Sequence, residues 1–505
     1  MARRSHRKRR VANEIHQLPW RDVTNPYAPV EVLSADQVET ILQTSHEVLA
    51  TQGMRFLEPG SRDMMRKAGA AVDETEKIVR FDPAFVKEKL ALAPPEFDLR
   101  ARNAAHKLRV GGNNILFSSV GGPAFCSDLD NGRRPGTYDE MCDYLRIVQG
   151  LNIIHQEGGG PFEAMDLPAE TRHLDLYLAQ IRLLDKNCQS YALGRERTID
   201  SIEMACIALG VDRSELAENP ALLAIINTNS PMQLDIPMTE AVIELAGTGQ
   251  VCCITPFTLA GSMSPATLAG TLMQQTAEVL AVATFAQVVN PGAPVIYGSF
   301  ASNVDMRSGA AALGTPEYTK AAQASGQIAR RLSLPFRSSN TTVSNCIDAQ
   351  AAFESQMSLW GAVMGHANLV NHAAGWLEGG LTASFEKLII DAEMLQMMAE
   401  YLCPIEVSAD ELAVAAIAEV GPGGHHFGTS HTLERYESAF YTPILSNRQN
   451  FEAWQGSGSL DIGARANTIW KQLLNEYEQP PLDVAIDDAL VDYVARRKET
   501  LMAKA

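Results

Sequence analysis

No CxxC pair occurs among the eight cysteines, Cys126, Cys142, Cys188, Cys206, Cys252, Cys253, Cys346 and Cys403, which are scattered along the chain. Together with the lack of a signal peptide, that scatter argues for reduced thiols in a cytosolic protein rather than a disulfide framework. Long apolar runs are missing as well: the longest, "EVLAVATFAQVV", is too short to cross a bilayer. No apolar segment follows the basic stretch "RRSHRKRR", so a secretory signal is not expected. Glycine-rich pieces such as "GGNN" and "EGGGP" match neither GxGxxG nor GxxxxGK[ST], which argues against a bound nucleotide. A GxSxG elbow is also absent, and with it the hydrolase signal that the many serines would otherwise suggest. Positive charge is scarce: 42 Lys and Arg stand against 60 Asp and Glu, a net charge of −18. A nucleic-acid partner for the body is therefore not expected. The exception, Arg3 to Arg10, reads as a solvated, disordered arm.

What remains is the composition of an ordinary globular protein, 46% hydrophobic and 20% charged. At 505 residues the chain can form one large α/β barrel with appendages. Residues 1–30 are expected to be the basic arm. Residues 31–112 read as a helical cap: "SADQVETILQTSHEVLATQG" has a Ser34 N-cap and stops at Gly53, and "SRDMMRKAGAAVD" and "DPAFVKEKLALAPP" look like two more short helices. Over 113–403 short apolar runs alternate with helical stretches. The runs are "ILFSSVGG", "LNIIHQEGGG", "NCQSYALG", "LAIINTNSP", "VCCITPFTLAG", "APVIYGSFAS", "PFRSSNTT" and "ANLVNHAAG". Helices are expected over Pro265–Val289, Pro316–Arg331 and Asp348–Met364. Continuously apolar strands separated by crossover helices indicate parallel strands covered on both faces, and eight such units predict a (β/α)8 barrel. Periodicity alone leaves an open doubly wound sheet as the alternative. Residues 404–505, glycine-rich, then aromatic and polar, are expected to be a C-terminal extension packed on the barrel.

In a barrel of this kind the chemistry sits at the C-terminal ends of the strands. Phe125, Tyr191, Phe257, Tyr297 and Trp376 fall at or just past those ends, together with Asn227, Asn229, Asn340 and His372. Aromatic rings clustered there would form a substrate site that attracts a quaternary ammonium through their negative faces. Packing in the core or loops is the competing explanation for each ring taken singly. Two histidine groups offer a general base or metal ligands: His155 beside Gln156 and Glu157, and His425, His426 and His431 with Glu434. Neither fits HExxH or a closed ligand spacing, so hydrogen-bonded structural histidines are expected and no metal site is assigned.

Long stretches of the sequence resemble the trimethylamine methyltransferase family, in particular its branch without pyrrolysine that includes glycine betaine methyltransferases. They include "SSVGGPAFCSDLDNGRRPGTYDEMCDYLRIVQGLNII", "TLAGSMSPATLAGTLMQQTAEVLAVATFAQVVNPGAPVIYGS", "DAQAAFESQMSLWGAVMGHANLVNHAAGWLEGGLTASFEKLIID" and "GPGGHHFGTSHTLERY". The resemblance implies a (β/α)8 barrel that transfers a methyl group from an amine to the Co(I) of a corrinoid (cobalamin) carried by a separate protein. No DxHxxG occurs, the motif a cobalamin-binding domain uses for its lower axial ligand, so the corrinoid is expected on a partner. Family members that act on trimethylamine carry pyrrolysine near the segment that here reads "TTVSNCIDAQ", where Ser344, Asn345 and Cys346 are closest. Without that residue a quaternary amine is the expected substrate. By its match to the family's strand-end motif, His372 is expected in the catalytic pocket with Trp376 as a wall. If the substrate is a betaine, Asn side chains and backbone N–H groups at the strand ends are candidate partners for its carboxylate, and so is Arg337, for which a structural carboxylate is the equal alternative. A zinc-assisted enzyme on the same barrel and a non-catalytic methylated-amine binder are the alternatives. The long helices are compatible with a homo-oligomer.

Overall fold

The structure, a computed structural model, describes residue 15 and residues 17–503. The basic stretch Arg3 to Arg10 lies outside the described residues. Eight parallel strands form the barrel: β1 (Asn114–Ser119), β2 (Gln156–Glu157), β3 (Asn187–Cys188), β4 (Leu223–Ile226), β5 (Val251–Ile254), β6 (Val295–Gly298), β7 (Phe336–Ser339) and β8 (Leu369–Ala374). Each pairs in parallel with the next, and β8 pairs with β1. The ring closes between β3 and β4 through a parallel bridge from Gln189 to Leu223, where the Ser190 N–H donates to the Leu223 carbonyl at 2.8 Å. The open doubly wound sheet is thereby excluded.

A helix follows every strand: α1 (Tyr138–Gly150), α2 (Arg172–Leu183), α3 (Arg195–Leu209), α4 (Ile236–Gly247), α5 (Leu268–Val289), α6 (Pro316–Arg331), α7 (Ala349–Met364) and α8 (Phe385–Tyr401). Side-chain caps start most of them. Thr137 and Glu140 form a capping box on α1, and Thr267, Thr315, Asp348 and Ser384 cap α5 to α8. Helix α5 is buried nearly all round, which explains why its sequence is apolar without a polar face.

Below the strands a hairpin, Phe97–Leu99 paired with Leu108–Val110, plugs the barrel foot. Its apolar side chains join Trp20, Leu116, Leu223, Val251, Cys253, Ile296 and Leu369 in one cluster, so the lower barrel is a packed core and not a channel.

Three expectations need correction. The cap is mixed and not wholly helical: helices Ala35–Thr51, Pro59–Lys67 and Pro83–Leu90 alternate with strands Met54–Phe56, Ala71–Asp73 and Ile78–Arg80. Met54–Phe56 pairs in parallel with Gln233–Leu234 of the loop after β4, tying the cap to the barrel. Residues 17–30, assigned to the arm, run along the barrel. Val23–Thr24 pairs with β1, Arg21 bridges Glu400 at 2.7 Å, and Asn25 donates to the Val363 carbonyl at 2.9 Å. The C-terminal extension packs on the barrel only in part. Helix Ile462–Asn475 docks beside α8 through Trp470, which donates to Glu386 at 2.9 Å. Helix Val484–Met502 docks on α2 and α3 through Arg182–Asp487 and Arg497–Asp200, each at 2.5 Å. Among the described residues, 404–440 make no hydrogen bond or ion pair of this kind to the barrel. Among the described residues no helix is long and apolar enough to cross a membrane.

Candidate active site

Inside the upper barrel the apolar layer gives way to a polar one. The Gln189 side chain, just past β3, donates to Ser118 (3.2 Å), Gln156 (3.1 Å) and Asn371 (2.7 Å), and Gln156 donates to Asn187 at 2.6 Å. Buried side chains from four strands thus satisfy one another. Above this floor opens a cavity of about 570 Å³, lined by the C-terminal ends of the strands and the loops that follow. That volume is typical of a small-molecule site.

Arg337 rises from β7 into the cavity with 1% of its surface exposed. Nη1 donates to the Ser299 carbonyl at 3.1 Å, Nε has no partner, and no carboxylate pairs with it among the described residues. Burial lowers its pKa from the ordinary arginine value. Among the described residues that line the cavity, Arg337 alone carries a charge at neutral pH. An unpaired buried cation is costly, which marks this group as waiting for an anion.

The walls are aromatic. Phe257, Phe300, Tyr191 and Trp376 face the space. Ring centroids lie 5.1 Å apart for Phe257 and Phe300 and 6.1 Å for Phe300 and Trp376, and the Arg337 guanidinium stands 5.5 Å from the Phe300 centroid. The indole N–H of Trp376 donates to the Thr342 carbonyl at 3.0 Å, fixing the ring. Tyr191 donates its hydroxyl to Glu163 at 2.7 Å, and Glu163 in turn pairs with Arg172 at 2.9 Å.

Asn371 and His372 are consecutive residues, yet both line the cavity. In a regular strand neighbours face opposite sides. Here β8 carries a bulge: between Val370 and Ala374 it advances four residues while β1 advances two, from Phe117 to Ser119. His372 sits in the left-handed region, φ +51°, a conformation that costs a non-glycine residue about 1–2 kcal/mol. The strain turns the imidazole inward, 4.5 Å from the Trp376 ring. Burial, and next the positive Arg337, hold its pKa well below the usual histidine value, so the ring is neutral. Its Nδ1 has no partner, and Nε2 lies 3.4 Å from the Asn371 amide. Below the bulge a buried pair braces the strand end: Asp391 accepts from the Gly375 N–H at 2.9 Å and from Lys387.

Of the anticipated site residues, His372, Tyr191, Phe257 and Trp376 come together in the cavity, as does Asn227. Trp376 reaches it from a short strand, Trp376–Leu377. The others do not line it. Phe125 lies under the Arg133 guanidinium, 3.7 Å from its centroid. Asn229 donates to Asp235 at 3.1 Å in the loop beyond the cavity. Tyr297 points outward from β6, its hydroxyl 2.8 Å from Thr276 of α5. Asn340 braces the back of β8 by donating to the Ala373 carbonyl at 2.8 Å. Ser344, Asn345 and Cys346 are also outside the lining; the Ser344 carbonyl accepts from Glu378 N at 2.8 Å at the rim. Phe300 and Gln189 were missed. Phe300 was legible as the next aromatic after Tyr297 on the same run, whereas nothing in the sequence marks Gln189.

The histidine groups lie elsewhere. His155 immediately precedes β2: Nδ1 accepts from the Phe117 N–H at 3.0 Å and Nε2 donates to the Arg21 carbonyl at 3.2 Å. Burial lowers its pKa to about 3. Neighbouring Glu157 is pushed up to about 7 by burial while accepting from the Gly159 and Gly160 N–H groups, which shapes the glycine turn at the cavity edge. His425 and His426 are exposed on the segment that leaves the barrel. No three His, Cys, Asp or Glu side chains converge to hold a metal ion among the described residues.

Comparison with known proteins accords with this architecture. The profile described as Trimethylamine methyltransferase (MTTB) matches residues 1–502. The chain is 37% identical over 467 residues to a glycine betaine methyltransferase of Desulfitobacterium hafniense strain Y51, covering 92% of this chain and 97% of that one. It is 28% identical over 473 residues to trimethylamine methyltransferase MttB2 of Methanosarcina mazei, covering 90% and 93%. The crystal structure of the Methanosarcina barkeri monomethylamine methyltransferase (MtmB) shares the fold, with a TM-score of 0.52 and 10% identity over 89% of this chain and 88% of that one. An eight-stranded barrel, a cavity at the strand ends and this match along almost the whole sequence place the chain in the trimethylamine methyltransferase family, as a methyltransferase.

Proposed function

We propose that the chain takes a methyl group from a betaine, a quaternary amine that also bears a carboxylate, and delivers it to the Co(I) of a corrinoid held by a separate protein. The observation that carries this reading is Arg337, a buried cation with no carboxylate partner at the base of an aromatic-walled cavity. Arg337 meets the substrate carboxylate, with Asn371 and Gln189 beside it on the floor. Phe257, Phe300 and Trp376 surround the trimethylammonium head by cation–π attraction. With the acid end held below, an N-methyl points toward the mouth. The glycine betaine methyltransferase at 37% identity supports this substrate class.

A permanent positive charge explains why the cavity needs no acid. As the C–N bond breaks, its electrons stay on nitrogen, which departs as a neutral tertiary amine, so no proton has to be supplied. A reduced corrinoid supplies the nucleophile that takes the methyl. The rim suits a broad, flat group: at Gly122 and Gly379, with φ of +89° and +62°, an added Cβ would meet nothing within 4 Å, so bare backbone edges the opening. The protein's own part is to hold the methyl in line and to keep water out, with neutral His372 and Trp376 against it. A neutral imidazole adds no repulsion toward the bound cation.

The test is an anaerobic methyl-transfer assay with free Co(I) cobalamin and a panel of glycine betaine, carnitine, choline, tetramethylammonium and trimethylamine. Methylcobalamin formed from a betaine in preference to the rest supports the reading. A preference for trimethylamine, or activity that needs an added metal, refutes it, and betaine binding without turnover would make the protein a carrier.

A further inference from the structure

The segment between α8 and the returning C-terminal helices is built in a way the catalytic reading does not use. Residues 404–440 contain helices of only four, seven and six residues, Ala409–Leu412, Val414–Val420 and Ser430–Arg435. Helices that short are unstable without something to pack against. Yet no residue of this segment joins a buried apolar cluster of the chain. Among the described residues, its hydrogen bonds and ion pairs stay inside the segment, for example Arg435 with Asp410. Its large apolar side chains face outward: Ile405 is 89% exposed, Phe427 and Phe440 each 83%, and Val407, Val414 and Ile417 more than half. Soluble monomers rarely present so much contiguous apolar surface.

A second uncovered apolar surface lies on the helices that precede it. Helix α7 contains one charged residue, Glu354, and that side chain is turned inward onto Thr342 and the Val343 N–H. Its outer face presents Phe353, 58% exposed, Met357 and part of Trp360. The stripe continues over Met397 and Tyr401 of α8, where the Trp360 and Tyr401 rings lie 5.0 Å apart. A charge-depleted stripe rich in Phe, Met, Trp and Tyr has the composition of an interface core.

We infer that residues 404–440 form an exchanged arm that packs on the α7–α8 stripe of a second copy of this chain, and reciprocally. Position selects this occupant. The barrel helices run from the mouth back to the foot, so the arm leaves at the foot, after Tyr401, and rejoins the body where Glu393 accepts from the Ile444 N–H at 2.7 Å. A methyl acceptor has to stand at the opposite end, over the cavity. Charge agrees: the arm carries Glu406, Asp410, Glu411, Glu419, Glu434 and Glu437 against Arg435, so two arms repel each other, whereas the outer face of α7 carries no charge and Glu400 of α8 is already paired with Arg21. The arm begins just past Tyr401, where the stripe ends, so reciprocal exchange about one two-fold axis would satisfy both, the self-complementary arrangement of a closed dimer.

The test measures the solution mass of the full chain by light scattering. The wild type is expected at no less than twice the 54.9 kDa chain mass. Phe427→Asp combined with Phe440→Asp in the arm, and Met357→Asp in the stripe, each reduce it to the monomer, and an equimolar mixture of the two variants restores part of the dimer. All three positions are surface residues of the single chain, so folding and methyl transfer to free cobalamin persist. Hydrogen exchange gives an independent reading: amides of Val414–Val420 are protected in the wild type and exchange freely in the arm variant. A monomeric wild type, an oligomer unaffected by the arm and stripe changes, or an arm equally protected in a monomer would overturn the inference.

Discussion

Replacing Arg337 by Met separates the stability of this protein from its substrate recognition. In the free chain the guanidinium is buried without a carboxylate and with an unpartnered Nε, so removing it takes away an uncompensated charge. Met has similar length and no charge, so the thermal midpoint of R337M should equal or exceed that of the wild type. With betaine bound the balance reverses, because the substrate carboxylate then loses its only cationic partner. Breaking one side of a buried ion pair costs about 3–5 kcal/mol, which corresponds to a roughly 150- to 5,000-fold loss in kcat/KM. Choline and tetramethylammonium bring no carboxylate, so their slow turnover should change little, and the preference for betaine collapses. R337K should recover only part of the loss, since an ammonium cannot repeat the two-pronged contact of a guanidinium. The assay is methylcobalamin formation from Co(I) cobalamin, read beside a thermal melt of the same preparation. A variant that melts well below the wild type would show that Arg337 supports the fold, and full betaine activity in R337M would remove the carboxylate site from the account.

The ring wall is probed by Trp376→Phe, which keeps an aromatic face but loses the indole hydrogen bond to Thr342, and by Trp376→Leu, which removes the face. A desolvated cation–π contact is worth about 0.5–2 kcal/mol, so the Leu variant should raise KM for betaine roughly 2- to 30-fold relative to the Phe variant. His372→Ala should lower methyl transfer strongly while the melt stays close to the wild type, and unchanged turnover would end its proposed role. Acid should destabilise the fold through histidines that are buried neutral. The pKa values of His155, about 3, and His372 lie below that of the unfolded side chain, so each contributes stability above about pH 6.5 that is lost as pH falls. Glu157, raised to about 7, works in the opposite sense between its unfolded value and pH 7. Two imidazoles oppose one carboxyl, so the net effect is a loss of stability that steepens as pH falls from 6.5 towards 5. His155→Asn should flatten that slope in denaturant melts, and an unchanged slope would contradict the assignment.

The sequence made the barrel legible because every strand is covered on both faces and every crossover is helical, so apolar runs and capped helices alternate regularly. The same burial hid which residues point inward. Ile296 and Tyr297 are both apolar and both buried, and only the register shows that Ile296 faces the barrel core while Tyr297 meets Thr276 of α5. Asn229 and Asn340 were misplaced for the same reason: a polar residue at a strand end can serve the cavity, a loop or a neighbouring strand, and alternation was not there to decide. The bulge that turns both Asn371 and His372 inward has no sequence sign beyond the glycine that follows at Gly375. The three-residue strands of the cap are too short to outweigh the helices around them. Arg337 was visible as a charge inside an otherwise apolar and polar-neutral run, but its lack of a partner is a property of the folded molecule.

The most direct measurement is a crystal structure with glycine betaine bound. The account predicts a carboxylate oxygen within about 3 Å of Arg337, the trimethylammonium group among Phe257, Phe300 and Trp376, and one methyl facing the open rim. A ligand bound the other way round, its carboxylate at the mouth and Arg337 still without an anion, would contradict it.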